Sequence, residues 1–326
     1  MGEHIKIIDA HAHLWLWQDT IVDGQHNYQL PDGRARFFGQ EVQMLPPFMT
    51  DNRNSAETML ANMNYAQVAA AVITQEFIDG LQNDYLEYVG RRWKDRFFTF
   101  GMCEYRQPGF LVDAQYLIRR GFRGIKIPAA RLISPHVTQI GLSESADNSK
   151  TDVNRIYLNT PEFMEMFRLM EEHGVMLAIE LTDGRTQIDE MEEIIAKFPN
   201  LKIIIGHFGM VTREDWMEQI KLAHHPNVYI ESGGITWLFN DEYYPFPSAV
   251  KAIREAADEV GVGKLMWGSD YPRTITAITY RQSFDWVLKN DLLTEAEKTA
   301  FLGGNAQRVF GFGQLPDLPY IKNMSE

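Results

Sequence analysis

The chain contains one cysteine, Cys103, in 326 residues. No disulfide can form within it, so packing must hold the fold, and pairing says nothing of redox context. Positive charge is also scarce. Lys and Arg number 31 against 44 Asp and Glu, a formal net charge of −13 with a pI near 5.2. Nucleic acid and anionic membrane both need a basic footprint, so neither is an expected partner. An anionic small molecule needs only a local basic pocket and stays compatible with this charge. No apolar run approaches a membrane span. The opening residues, MGEHIKIID, lack a charged leader followed by an apolar segment, so the expected location is the cytoplasm. There is no clear linker, low-complexity tract or solenoid-type repeat. Ser232 and Ser269 lack a nucleophile elbow, and no phosphate-cradling glycine motif is present.

Hydrophobic residues make up 45%, enough for a large core. Eight short β-branched runs follow one another: IKIID (5–9), AAAVIT (69–74), FFTFG (97–101), GFRGIKI (121–127), VMLAIE (175–180), LKIIIGH (201–207), NVYIES (227–232) and KLMWGSD (264–270). Helical patterns lie between most of them. Thr160-Pro161 reads as an N-cap with proline at the first helical position, and Gly174 as a helix stop. Thr294 with Glu297 reads as a capping box. The expectation is an α/β fold, a (β/α)8 TIM-type barrel in one domain over 1–326, with function at the C-terminal strand ends. Two connections are long. Residues 14–54 follow strand one, and residues 128–159, with Arg131 and His136, follow strand four. Such loops serve as lids or as subunit contacts, so a homo-oligomer fits as well as a monomer.

Side chains alternate along a strand. With Ile125 and Ile127 facing the helices, Lys126 points inward. With Leu177 and Ile179 outward, Glu180 points inward. His207 ends strand six, Asp270 ends strand eight, and Glu231 stands near the end of strand seven. His11 and His13, two apart, leave strand one. A packed core would want apolar groups at these places. Two imidazoles on one face can share a divalent ion at about 2.0–2.1 Å, with a carboxylate completing the set. The expected metal ligands are His11, His13, Glu180 and Asp270, holding one divalent ion, zinc or manganese. The ion polarises a substrate oxygen and lowers the pKa of water; Asp270 can take the proton of that water, or ligate, or both, and His207 can ligate or act as the acid–base group beside the metal. Lys126 and Arg273 are the candidate anchors for a substrate carboxylate. The bland readings stand beside these. Lys126 can pair structurally with Glu180, or, carboxylated, bridge two metals. Asp270 can cap a turn, and His207 can be a satisfied core histidine. Cys103 and Glu104 are read as structural, and His4, His136, His173, His224 and His225 as non-ligands.

DAHAHLW at 9–15, GHFG at 206–209, GSDYP at 268–272 and GGNAQRVFGF at 303–312 resemble the amidohydrolase superfamily, in its amidohydrolase-related branch. The resemblance runs from about residue 5 to residue 312. It implies metal ligation by His11 and His13, assistance from His207, and a catalytic role for Asp270. That branch spans lactonases, hydratases and nonoxidative decarboxylases. Its decarboxylases place a metal-binding histidine where this chain has Glu180. The leading expectation is a metal-dependent hydrolase acting on a small carboxylated or lactone-type substrate. The alternative is a decarboxylase or hydratase of an unsaturated or aromatic acid at the same site. A non-catalytic binding protein on this scaffold would instead fold without metal.

Overall fold

The computed structural model describes residues 5–22, 24–133 and 155–324. His4, His136 and most of the connection after strand four lie outside them.

All eight strand runs form parallel strands. They are β1 (Ile7–His13), β2 (Val68–Thr74), β3 (Phe97–Thr99 and Gly101–Met102), β4 (Gly124–Ile127), β5 (Met176–Ile179), β6 (Ile203–Ile205), β7 (Val228–Glu231) and β8 (Leu265–Met266). One sheet runs β1-β2-β3 and a second β8-β7-β6-β5-β4-β3, the two halves of β3 belonging to different sheets. The Phe100 N–H donates to Ile73 O at 2.9 Å between those halves. At the other margin the Ala10 N–H donates to Trp267 O (2.8 Å) and the His13 N–H to Tyr271 O (2.7 Å). β1 thus bonds to the segment that leaves β8.

Two apolar layers follow from alternation. Ile125, Ile127, Leu177 and Ile179 pack with the helices in the larger cluster, as alternation predicts. Ile8, Ala10, Phe98, Ala178, Ile204 and Met266 form an interior cluster with Val309 and Phe310 of the last helix. In β1 the parity changes. Ile8 and Ala10 face the interior, but Ala12 joins the helix-side layer. The β1–β2 register shifts between Asp9 and Ala12. That irregularity turns His11 and His13, rather than Ala12, toward the interior, because one residue of slip reverses every side chain beyond it. β1 also runs through His13, past the expected end at Asp9, so both histidines stand on the strand itself.

The caps explain most helix limits. Ser55 accepts from the Thr58 N–H at the start of Ala56–Ala66. Thr294 and Glu297 close a reciprocal capping box. Gly174 takes φ 64° after His173, where a Cβ would be strained. Thr160 precedes Pro161 as expected but makes no side-chain cap bond, so the proline alone marks that start.

The connection after β1 departs from expectation. It is not a plain loop but carries a four-stranded antiparallel sheet, Asp19–Val22, Gln25–Gln29, Arg34–Phe37 and Gln40–Gln43, paired in chain order. Phe38-Gly39 makes its last turn with φ 47° and 79°, the doubly positive conformation that suits a two-residue hairpin. Among the described residues no helix is long and apolar enough to cross a membrane.

Cys103 lies at 0% exposure in the main core, and burial pushes its thiol up to about 12. Only the thiolate attacks an alkylating reagent. Iodoacetamide at pH 8 should leave the native chain unmodified for hours and label it fully in urea, as read by intact mass.

Candidate metal centre and active site

β1 delivers the centre of the site. The His11 and His13 Nε2 atoms approach to 3.0 Å. Their other ring nitrogens are committed. The His11 Nδ1–H donates to Glu231 Oε1 and the His13 Nδ1–H to Asp79 Oδ2, both at 2.7 Å. A carboxylate accepts only, so each Nδ1 carries a proton and each Nε2 is the atom turned toward the other ring. Burial opposes a second proton on His13, but Asp79 and Asp270 outweigh it and hold its pKa well above the usual imidazole value. At 3.0 Å the two Nε2 atoms need a proton or a metal ion between them, and carboxylates converge on the same gap. This donor set therefore fits a metal ion.

Further donors converge on the same place. Asp270 Oδ1 is 3.3 Å from His13 Nε2 and 3.6 Å from His11 Nε2. Glu180 Oε1 is 3.9 Å from His11 Nε2 and 3.2 Å from His207 Nε2. His11, His13 and Asp270 form one candidate ligand group, and His11, Glu180 and His207 another, each with donor atoms within 4.8 Å of one another. All five residues are buried.

The electrostatics follow from that crowding. Burial opposes ionisation of Asp270, but the hydrogen bond from His13 and the nearby His11 and His207 hold it well below the usual carboxylate range. Burial likewise disfavours a charged His207, yet Glu180, Asp270 and Glu231 outweigh it and lift the imidazole to about 9. The His207 Nδ1–H donates to Gly233 O at 2.8 Å, which leaves Nε2 facing Glu180. For His11 burial prevails over the pull of Glu231, and its pKa falls, which keeps the ring neutral for ligation.

Asp9 fastens the frame. It accepts from the Ser269 N–H (2.8 Å), the Tyr280 hydroxyl (2.7 Å) and the His11 N–H (3.1 Å). Burial raises this carboxyl to about 6 against those bonds. Asp270 and His207 take left-handed backbone at φ 57° and 56°, a strain that needs such rigid surroundings. Space is reserved too. A Cβ on Gly268 would meet His11 Cβ at 2.7 Å, and one on Gly233 would meet His11 Cγ at 2.7 Å.

A cavity of about 360 Å³ opens onto His13, Glu180, His207 and Asp270. Arg273 also lines it. Its guanidinium lies 4.1 Å from the Trp237 ring centroid, and the described residues give it no carboxylate partner. Lys126 is placed differently from the expected substrate anchor. It is 1% exposed, lies behind Glu180 in a direct ion pair, and is not part of the cavity wall. His224 and His225 form surface pairs with Glu259 and Glu192.

Several participants escape a strand-based reading. Asp79 sits on a one-turn helix, Phe77–Asp79, after β2, where Glu76 closes a capping box with it. Trp237, on the short helix Ile235–Leu238 after β7, donates its Nε1–H to Asp270 Oδ2 at 2.7 Å. The available signal was polar residues just past a strand end, Gln75, Glu76 and Asp79 after Thr74.

The amidohydrolase family model matches residues 8–312. The chain belongs to the amidohydrolase family. This amidohydrolase is 25% identical to L-fucono-1,5-lactonase of Burkholderia ambifaria over 315 residues, 93% of this chain and 92% of the relative. Its fold is similar to that of a probable 2-pyrone-4,6-dicarboxylic acid hydrolase from Acinetobacter baumannii, solved with citric acid bound. There the TM-score is 0.63 at 17% identity, over 94% of this chain and all of that one (100%). A zinc-bound amidohydrolase from Burkholderia multivorans gives a TM-score of 0.62 at 17% identity, over 95% and 99% of the two chains. As an amidohydrolase the protein is an enzyme of a family that generally binds a divalent metal, and its buried donor cluster is a candidate site for one.

Asp79 meets His13 at its rear nitrogen and also accepts from the Glu76 N–H (3.1 Å) and Gln18 Nε2 (3.2 Å). Asp79→Asn should keep the fold but lower affinity for a divalent ion by about 10–100-fold, the usual effect of losing a carboxylate behind a ligating histidine. Metal titration followed by elemental analysis measures it.

Proposed function

We propose that this amidohydrolase is a metal-dependent hydrolase of a small carboxylated or lactone-type substrate, built on a closed (β/α)8 barrel. The backbone bonds from β1 to the residues after β8 support closure. The observation that carries the functional reading is the pair of Nε2 atoms, fixed 3.0 Å apart beside Asp270, with each Nδ1 held by a carboxylate. His11, His13, Asp270 and Glu180 would hold one ion, zinc or manganese. When bound, such an ion polarises a carbonyl oxygen and lowers the pKa of water.

The chain's own groups do the rest. Arg273 accepts the substrate carboxylate as a charge-assisted partner. Asp270 Oδ1 takes a proton from the attacking water, while the Trp237 Nε1–H keeps Oδ2 engaged and the carboxylate oriented. His207, charged through its neighbours, gives its Nε2 proton to the departing oxygen. The ester bond breaks as the new carbon–oxygen bond forms, and the product is a ring-opened hydroxy acid. Lys126 serves this site indirectly, by neutralising and positioning Glu180.

Purified protein should contain one divalent ion per chain. It should open a lactone substrate with proton release, and a chelator should abolish that activity until metal is restored. Two stoichiometric ions would sink the mononuclear site, and release of carbon dioxide from an acid substrate would replace hydrolysis with decarboxylation. Arg273→Met should raise KM on a carboxylated substrate about 10–100-fold, the worth of one charge-assisted hydrogen bond, with a smaller change in kcat.

Glu180→Gln separates ligation from simple pairing. If Glu180 ligates, metal affinity falls at least about tenfold and the fold survives. Full metal content with a large drop in Tm would mean that Glu180 only neutralises Lys126, because a buried ammonium left alone costs about 3–5 kcal/mol.

A further inference from the structure

We infer that the four-stranded insert after β1 is the specificity wall of the site, and that it selects a monoanionic acid with an apolar, planar body over a polyhydroxylated sugar acid. The inference rests on the proposed hydrolase reading only in taking the cavity as the substrate site.

The insert and its flanks give the cavity Trp15, Phe37, Val42 and Met44. Ile78 and Met210 extend the apolar lining from other elements. On the insert's share of the described lining the one polar side chain is Gln43, while Asn240 and Asp183 line the cavity from other elements. Gln43 Nε2 is already bonded to Asp32 O (2.9 Å) and Leu45 O (2.7 Å). Arg131 is paired with Glu76 at 2.9 Å and Arg213 with Asp183 at 3.6 Å. His13, Glu180, His207 and Asp270 are taken up by the chemistry. Arg273 alone among the described lining cations has no carboxylate partner, which fits one negative charge on the ligand. A sugar acid would bury several hydroxyls against this wall with little to bond them, and each unbonded hydroxyl is costly. A flat unsaturated ring needs no such partners and gains from apolar burial.

The wall is fixed in place. Phe38, next to Phe37, belongs to the main core. Its N–H donates to Asn27 Oδ1 at 2.7 Å, and the Arg131 guanidinium lies 5.2 Å from its ring centroid. Asn52 Oδ1 accepts the Gly33 N–H at 2.6 Å. Phe37, Val42 and Met44 are half-buried, so their cavity-facing surface can change without emptying the core.

Binding is measured on the full chain as purified, by calorimetry or ligand-observed NMR, with benzoate, gluconate and acetate as probes. Benzoate should bind at least about tenfold tighter than gluconate. Phe37→Ser and the near-isosteric Val42→Thr should each weaken benzoate several-fold and leave acetate unchanged, since acetate reaches only the arginine. If Phe37→Ser fails to fold, Val42→Thr carries the test. Gluconate binding as tightly as benzoate, or benzoate affinity unmoved in the folded variants, overturns the inference. Benzoate selectivity that persists in a protein opening no lactone supports the wall while counting against the hydrolase reading.

Discussion

Two imidazole nitrogens, Nε2 of His11 and of His13, are held 3.0 Å apart, and the surrounding structure is organised to keep them so. Each ring is gripped from behind by a carboxylate, Glu231 for His11 and Asp79 for His13. Glu231 does more than grip. Its Oε1 also accepts the His207 N–H (3.2 Å) and its Oε2 the Gly233 N–H (2.6 Å), so one side chain sets the positions of three segments. The irregular register of β1, the bare glycines at 233 and 268, and the Asp9 bonds to Ser269 and Tyr280 are all local solutions to the same demand.

That demand opposes stability. Buried charges lose hydration that mutual attraction restores only when geometry is good and the remaining bonds are made. Here Asp270, Glu180 and Glu231 are all buried, and all stay ionised because imidazoles and an ammonium crowd them. An apolar filling of the same volume would fold at least as well. A cluster kept against that alternative, on strained backbone at His207 and Asp270, is the mark of a site built for chemistry.

Much of this was legible in the sequence because strand alternation is a strict rule. It placed Lys126 and Glu180 on one face and Ile125, Ile127, Leu177 and Ile179 on the other, and the structure agrees. Alternation fails where the backbone leaves the strand. Asp79 and Trp237 lie on single-turn helices, where no period says which way a side chain points. It also could not foresee the shift inside β1, although the histidines themselves marked that place. The insert was missed for a different reason. Its strands are four or five residues long and mostly polar, so they show little apolar alternation. Its turns were better signals than its strands: Asp32-Gly33 and Gly39 punctuate the segment at hairpin spacing.

Charge accounting links the centre to its ligand. Four carboxylates face the two histidines of β1 and their neighbours: Asp79, Glu180, Glu231 and Asp270. Lys126 and a charged His207 offset two of them. His11 stays neutral, because its proton is committed to Glu231 and burial disfavours a second. Asp79 and Asp270 outweigh burial and hold the His13 pKa well above its usual value, and ligation of an ion displaces that second proton, which leaves two negative charges for the ion to match. A divalent ion matches that remainder, whereas a monovalent one would not. Arg273 then stands outside the balance, a cation in the cavity wall with an indole face beside it and, among the described residues, no ion pair. Desolvation lowers its pKa, so its charged form is held at a cost until an anion arrives. On the proposed reading, the balance that leaves room for a divalent ion at the strand ends also leaves Arg273 to meet one negative charge on the molecule entering above them.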